Sequence, residues 1–93
     1  MEKCLRISGR VQGVGFRFWT IRLVAAVKEV SGYVCNFSDG DVLVLLSGPA
    51  DKIQTVVQSL YKGPLLARVD SIREAPELKI YFPPIENGVF KRI

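Results

Sequence analysis

Apolar positions along this chain first alternate and then recur at three- and four-residue steps. Cys4-Leu5-Arg6-Ile7-Ser8 alternates polar and apolar, which predicts a strand with Leu5 and Ile7 toward a core. Gly9, Gly13 and Gly15 crowd the next stretch, so residues 9 to 15 read as a loop. From Phe16 to about Val30 the period turns helical, with Phe16, Thr20, Leu23, Val27 and Val30 on one stripe that Trp19 and Val24 widen. Ser31-Gly32 ends it, with Gly32 as the C′ residue. Tyr33 to Phe37 predicts a second strand, Ser38-Asp39-Gly40 a hairpin turn, and Asp41 to Ser47 a third strand. A second helix runs from Ala50 to about Tyr61, with Ile53, Val56, Val57 and Leu60 inward, and Lys62-Gly63-Pro64 stops it. Ala67 to Arg73 is a fourth strand, and the mismatched parity of Val69 and Ile72 points to a bulge or a late twist. Pro76, Pro83 and Pro84 leave residues 75 to 84 without an assignment. Val89 to Ile93 reads as a last edge strand entered by the Asn87-Gly88 turn.

The element order is β-α-β-β-α-β plus a short extra strand. Two helices that each bury one stripe suit one face of a mostly antiparallel sheet, the ferredoxin-like α+β sandwich. Ninety-three residues allow one domain, here residues 1–93. That architecture carries many unrelated activities, so function has to come from particular residues.

Composition narrows the chemistry. Apolar residues make up 48% of the chain, enough for a real core. There is no histidine, which removes Ser-His and Cys-His nucleophilic pairs, a His base and every His metal site. Two cysteines, Cys4 and Cys35, form neither a disulfide framework nor a four-thiolate zinc site, so no metal and no cofactor is expected. The net charge of +4 favours anionic partners only mildly, because acids and bases interleave. The charged start, Met1-Glu2-Lys3, is unlike a signal peptide, and no apolar run approaches a membrane span. A soluble cytoplasmic monomer is the expectation.

The segment that can carry chemistry is Gly9-Arg10-Val11-Gln12-Gly13-Val14-Gly15-Phe16-Arg17. It joins a strand to a helix, where several backbone N–H groups lack intrahelical partners and the helix dipole adds positive charge. Gly13 and Gly15 let the backbone curl round an oxyanion, and Arg17 adds a planar guanidinium. A cation at a helix N-terminus opposes the dipole, an arrangement that makes better sense with an anion between the two. The spacing fits neither a Walker A loop nor the dinucleotide fingerprint. Taken alone, these residues leave an anion cradle and a plain tight turn level.

Two motifs carry a family resemblance. Gly9-x-Val11-Gln12-Gly13-Val14-x-Phe16-Arg17 resembles the signature of the acylphosphatases, and Gly32-Tyr33-Val34-Cys35-Asn36 followed by Asp39-Gly40 is similar to that family's second motif. The resemblance runs from Cys4 to the last strand. It implies hydrolysis of acyl phosphates to a carboxylate and inorganic phosphate, without metal or covalent intermediate. It implies that Gln12, Gly13, Val14, Gly15 and Phe16 form the phosphate cradle, that Arg17 binds the phosphate, and that Asn36 positions the attacking water. The partners it implies are a small acyl phosphate and inorganic phosphate, the latter as product and inhibitor. Strand parity puts Asn36 on the side of Val34, at the strand end near the loop.

The chain departs from the family pattern in places. Tyr33 stands for the usual Trp, Cys35 for a basic residue, and Val30-Ser31 for a Leu-Gly-Leu turn. Asp41 adds an acid near an anion site. Phe90-Lys91-Arg92-Ile93 matches the usual Phe-x-Ile-Arg end only in part.

Two other readings stand beside this one. An RNA-binding module would need paired aromatics on the middle strands, where Leu5, Ile7, Val42, Val44 and Leu46 offer none, so no nucleic acid is expected. A carbamoyl-phosphate-handling domain, as at the start of hydrogenase-maturation proteins, would normally be followed by zinc-binding Cys clusters. The chain stops after its last strand, which favours a free-standing enzyme. Cys4 and Cys35 fall about two strand spacings apart, roughly 9 to 10 Å, beyond disulfide reach, so two free thiols are expected.

Overall fold

The computed structural model describes residues Met1–Ile93. The elements are β1 (Glu2–Arg10), α1 (Phe16–Val27), β2 (Ser31–Asn36), β3 (Val42–Ser47), α2 (Ala50–Leu60), β4 (Arg68–Glu74) and β5 (Phe90–Arg92). Short 3₁₀ turns cover Ser38–Gly40 and Pro76–Tyr81. The sheet order is β4-β1-β3-β2-β5. β1 lies antiparallel to β3 and β4, β2 antiparallel to β3, and β5 parallel to β2. This is the ferredoxin-like α+β sandwich with its extra C-terminal strand at the edge.

One core joins the helices to the sheet. Leu5 and Ile7 of β1, Val34 of β2, and Val42, Val44 and Leu46 of β3 pack against Phe16 and Val24 of α1 and Ile53, Val56 and Leu60 of α2. Each such side chain contributes roughly 1.5–3 kcal/mol by leaving water. On α1 the fully buried row is Phe16, Thr20 and Val24, while Leu23 and Val27 are only half-buried. The Thr20 hydroxyl donates to the Phe16 carbonyl at 2.8 Å, so its burial leaves no orphaned donor.

The first helix ends three residues before the periodicity suggests, and Gly32 is not its C′ residue. Lys28 (φ 69°) and Glu29 (φ 65°) make the left-handed turn, and the Lys28 amide donates to the Val24 carbonyl at 2.9 Å. Strand pairing overrides helical period here, because the chain must reach Ser31 in time to face Ser47 of β3. Gly32 lies inside β2 at φ 143°, where an added Cβ would fall 1.8 Å from the Leu45 carbonyl oxygen. Val30 is buried from the connecting loop instead of from a helix stripe.

Of a bulge and a late twist, β4 has the bulge. Ser8 faces Ser71 but Gly9 faces Val69, so β4 carries Asp70 as an extra residue. It sits at the end of β1, where the chain leaves the sheet for the glycine loop.

The tail that sequence patterning left unassigned covers the other face of the sheet. Cys4, Tyr33 and Leu45 are buried beneath Leu78, Phe82 and Ile85. Tyr33 stacks on Phe82 with ring centroids 6.1 Å apart, and its hydroxyl donates to the Pro84 carbonyl at 2.6 Å. The five residues weighed above for RNA stacking all lie on the helix face, inside the core. The opposite face offers Arg6, Leu43 and Leu45 on its middle strands and is roofed by this tail, so it presents no stacking platform. Both cysteines are free thiols on strands separated by β3.

Candidate active site

Because β1 and β2 both run antiparallel to β3, they run parallel to each other, and their C-terminal ends reach the same edge of the sheet. The glycine loop leaves β1 at that edge and Asn36 ends β2 there. β5, parallel to β2, brings Arg92 to it as well. Three segments distant in sequence therefore meet by topology alone.

They enclose a cavity of about 170 Å³, lined by Val11, Gly13, Gly15, Phe16, Arg17, Phe18, Asn36 and Arg92. Ligand pockets usually run to roughly 300–1,000 Å³, so this one is on the scale of a small anion. Two other hollows, of about 260 and 440 Å³, lie away from the glycine loop and are lined by apolar residues with Lys3 and Gln54 in one and Lys62 in the other.

Apolar anchors hold the loop from below. Val11 and Phe16 are buried and Val14 packs against the core. Gly13 (φ 74°) and Gly15 (φ 78°) take left-handed conformations with nothing within 4 Å of an added Cβ, so glycine serves backbone shape there and not clearance. Gly15 is the N-cap of α1, without a side-chain cap, and its carbonyl receives the first helical bond from the Trp19 amide at 2.9 Å. The backbone amides from Gln12 to Phe18 donate to no protein acceptor. A row of free donors at the positive end of a twelve-residue helix has the chemistry to hold an anion.

The side chains divide their work. The Gln12 amide nitrogen donates to the carbonyls of Phe37 at 2.9 Å and Asp41 at 2.8 Å, so it ties the loop to the β2–β3 hairpin. Gln12 and Val14, expected in the cradle, can offer it backbone only: one side chain is engaged by the hairpin and the other by the core. Arg17 lines the cavity and makes no ion pair within the protein, whereas Arg6 binds Asp41 at 2.5 Å and Asp39 at 3.9 Å. Arg6 thus neutralises the two acids nearest the hairpin, and Asp41 does not face the cavity. Asn36 shares the face of Val34, as parity predicts, but is exposed where Val34 is buried. Cys35 points to the other face. Burial raises its thiol pKa, and the Arg17 charge offsets part of that rise.

Arg92 is the lining residue that patterning left without a role. Its signal was the parity of Phe90, which packs on the core and so carries Arg92 to the helix face. No three His, Cys, Asp or Glu side chains come together as a metal site.

A sequence model of the acylphosphatase family matches residues 3–81. The chain is 49% identical to an acylphosphatase of Nitrobacter hamburgensis over 70 residues, 75% of this chain and 70% of that one. It is 38% identical to an acylphosphatase of Acidiphilium cryptum over 92 residues, covering 99% and 96% of the two chains. The crystal structure of acylphosphatase from Bacillus subtilis superposes with a TM-score of 0.79 at 28% identity, over 99% of this chain and 97% of that one. HypF from T. kodakarensis contains a similar domain, with a TM-score of 0.78 and 30% identity over all of this chain but 12% of that one. The chain belongs to the acylphosphatase family, hydrolases of the anhydride between a carboxylic acid and phosphate.

Proposed function

We propose that residues 1–93 work as one acylphosphatase domain that hydrolyses small acyl phosphates to a carboxylate and inorganic phosphate. The observation that carries this reading is the convergence of the free loop amides, Arg17 and Asn36 on one small cavity.

An acyl phosphate needs little help to leave, because a carboxylate is a weak base. Catalysis reduces to placing a water in line and stabilising charge on the phosphoryl oxygens. The loop amides and Arg17 hold those oxygens. Asn36 orients the water, whose oxygen bonds to phosphorus as the bond from phosphorus to the acyl oxygen breaks. The water proton passes to a phosphoryl oxygen of the substrate. No carboxylate lines the cavity to take it, and Asp39 and Asp41 are held by Arg6.

No helix is long and apolar enough to cross a membrane, and the substrate we assign is a small anion. The protein acts as a monomer in the cytoplasm, with inorganic phosphate as product and competitive inhibitor. The test is hydrolysis of benzoyl phosphate with and without phosphate present. Turnover that phosphate inhibits competitively supports the reading, and no turnover ends it. The second reading is a domain that handles carbamoyl phosphate, itself an acyl phosphate, and the presence of a similar domain within the much longer HypF keeps a role inside a larger protein open. The same assay with that substrate distinguishes the two by relative kcat/KM.

A further inference from the structure

The buried row of α1 is Phe16, Thr20 and Val24, and Phe18 comes two residues after Phe16, about 200° round the axis and so on the outer side. It is 65% exposed, yet it lines the cavity at the glycine loop. Helical side chains lean toward the N-terminus, which carries the ring to the cavity mouth and not away from it. Arg22, four residues on, leans the same way, and its guanidinium carbon lies 5.8 Å from the ring centroid. Arg22 makes no ion pair, so this ring is its partner.

Three apolar side chains border the cavity, and two of them, Val11 and Phe16, are buried beneath the loop. Phe18 is the one open to solvent. The rest of the lining is Gly13, Gly15, Arg17, Asn36 and Arg92. A volume of about 170 Å³ suits a phosphoryl group, so the acyl group of an acyl phosphate has to leave through the mouth. There the apolar surface it meets is the Phe18 ring. Apolar surface left in water gains by being covered, and an aromatic acyl group covers it best, ring against ring.

We propose that Phe18 is the acyl-binding wall of the site, and that it makes the enzyme favour aromatic over small aliphatic acyl phosphates. This rests on reading the cavity as the phosphoryl site. It gives the exposed ring a role: the phosphoryl end is held by the loop and the acyl end by the first turn of α1.

Benzoyl phosphate and acetyl phosphate share the phosphoryl group and differ in the acyl group, so they isolate the wall. Their kcat/KM values are measured on the parent, Phe18→Ala and Phe18→Tyr, with thermal midpoints to confirm folding. Beside them, calorimetry follows 2-phenylethylphosphonate and ethylphosphonate, which keep the spacing from phosphorus to ring and have no bond to cleave. In Phe18→Ala the benzoyl-to-acetyl ratio falls about tenfold, the scale of one aromatic contact, and the fall lies in KM. Affinity for 2-phenylethylphosphonate falls by a like factor, and Phe18→Tyr keeps the parent's ratio because the flat ring remains. The proposal is overturned if the parent prefers neither ring-bearing compound, or if Phe18→Ala leaves the ratio unchanged. It is overturned too if Phe18→Tyr loses as much as Phe18→Ala. A parent that cleaves neither substrate, yet loses 2-phenylethylphosphonate affinity on Phe18→Ala, ends the hydrolase reading and leaves the wall standing.

Discussion

The side-chain amide of Gln12 donates to the Phe37 carbonyl at 2.9 Å, and this bond joins the glycine loop to the end of β2. Gln12 also reaches the Asp41 carbonyl, across the mouth of the hairpin. One residue before Phe37 stands Asn36. The distance between cradle and water-holding amide is therefore set by a side chain that touches neither phosphate nor water in our reading.

Gln12→Ala should lower turnover by about tenfold and raise the phosphate inhibition constant less. The protein should lose about 1–3 kcal/mol, since the Phe37 carbonyl loses its donor, while the Asp41 carbonyl keeps the Phe37 amide at 2.8 Å. Gln12→Glu should be worse, because a carboxylate cannot donate and repels both oxygens. Steady-state kinetics and urea unfolding on the three proteins check this. Full activity in Gln12→Glu would show that the clamp does not position the site.

Asn36→Ala should cut turnover by about 10² to 10³ with substrate and phosphate affinity nearly intact, because an unheld water loses its in-line orientation. Asn36→Asp should be as slow and should bind substrate more weakly, since it sets a negative charge beside a phosphoryl group. The side chain is exposed, so thermal midpoints should hardly move. Near-normal turnover in Asn36→Ala would remove it from the mechanism.

Arg17→Ala should weaken phosphate inhibition and turnover together. Arg17→Lys should restore little, because an ammonium lacks the planar fork. A lysine variant with the parent's phosphate inhibition constant would mean that Arg17 is not a bidentate anchor. With no grouped metal ligands, EDTA should leave the rate of all these proteins unchanged, and a loss on chelation would require a metal in the mechanism.

Gly32→Ala should destabilise the fold by about 3 kcal/mol or more, because β2 holds φ at 143° and the new methyl meets the Leu45 carbonyl. Gly40→Ala, in the open hairpin turn, should cost about 1 kcal/mol for its backbone alone. Equal losses in denaturant melts would contradict this contact.

Stability should fall at alkaline pH for a local reason. Burial, aided by the charges of Glu77, Cys35 and Glu2, pushes the Cys4 thiol up to about 11. The unfolded chain then gives up this proton first, so the thiol's contribution is whole below pH 9.0 and is lost as pH rises toward 11. Urea midpoints between those values should slope down more in the parent than in Cys4→Ala, which starts less stable. Parallel slopes would show that Cys4 does not titrate with unfolding.

Much of the protein was legible before its structure. Alternation at Leu5 and Ile7, the helical steps from Phe16, and Gly40 in a turn are local signals, set by backbone sterics and side-chain period. So was the parity that put Asn36 with Val34, and the mismatch of Val69 and Ile72 that marked the bulge. The loop glycines and Arg17 marked the strand-to-helix junction where backbone amides go unpaired, because every helix N-terminus leaves them so, but by themselves they left a cradle and a plain tight turn level.

Other features depended on partners distant in sequence. Gly32 reads as a helix stop until β3 brings the Leu45 carbonyl against it. Asp41 reads as a stray acid beside an anion site until Arg6, 35 residues away, takes it on the other face. Residues 75 to 84 have no period because their order comes from lying over Cys4, Tyr33 and Leu45. Arg92 gained a place only when β5 paired parallel with β2. Local sequence determines which way a residue faces along its own strand or helix; tertiary pairing decides what it faces, because that partner is chosen by how the sheet is assembled.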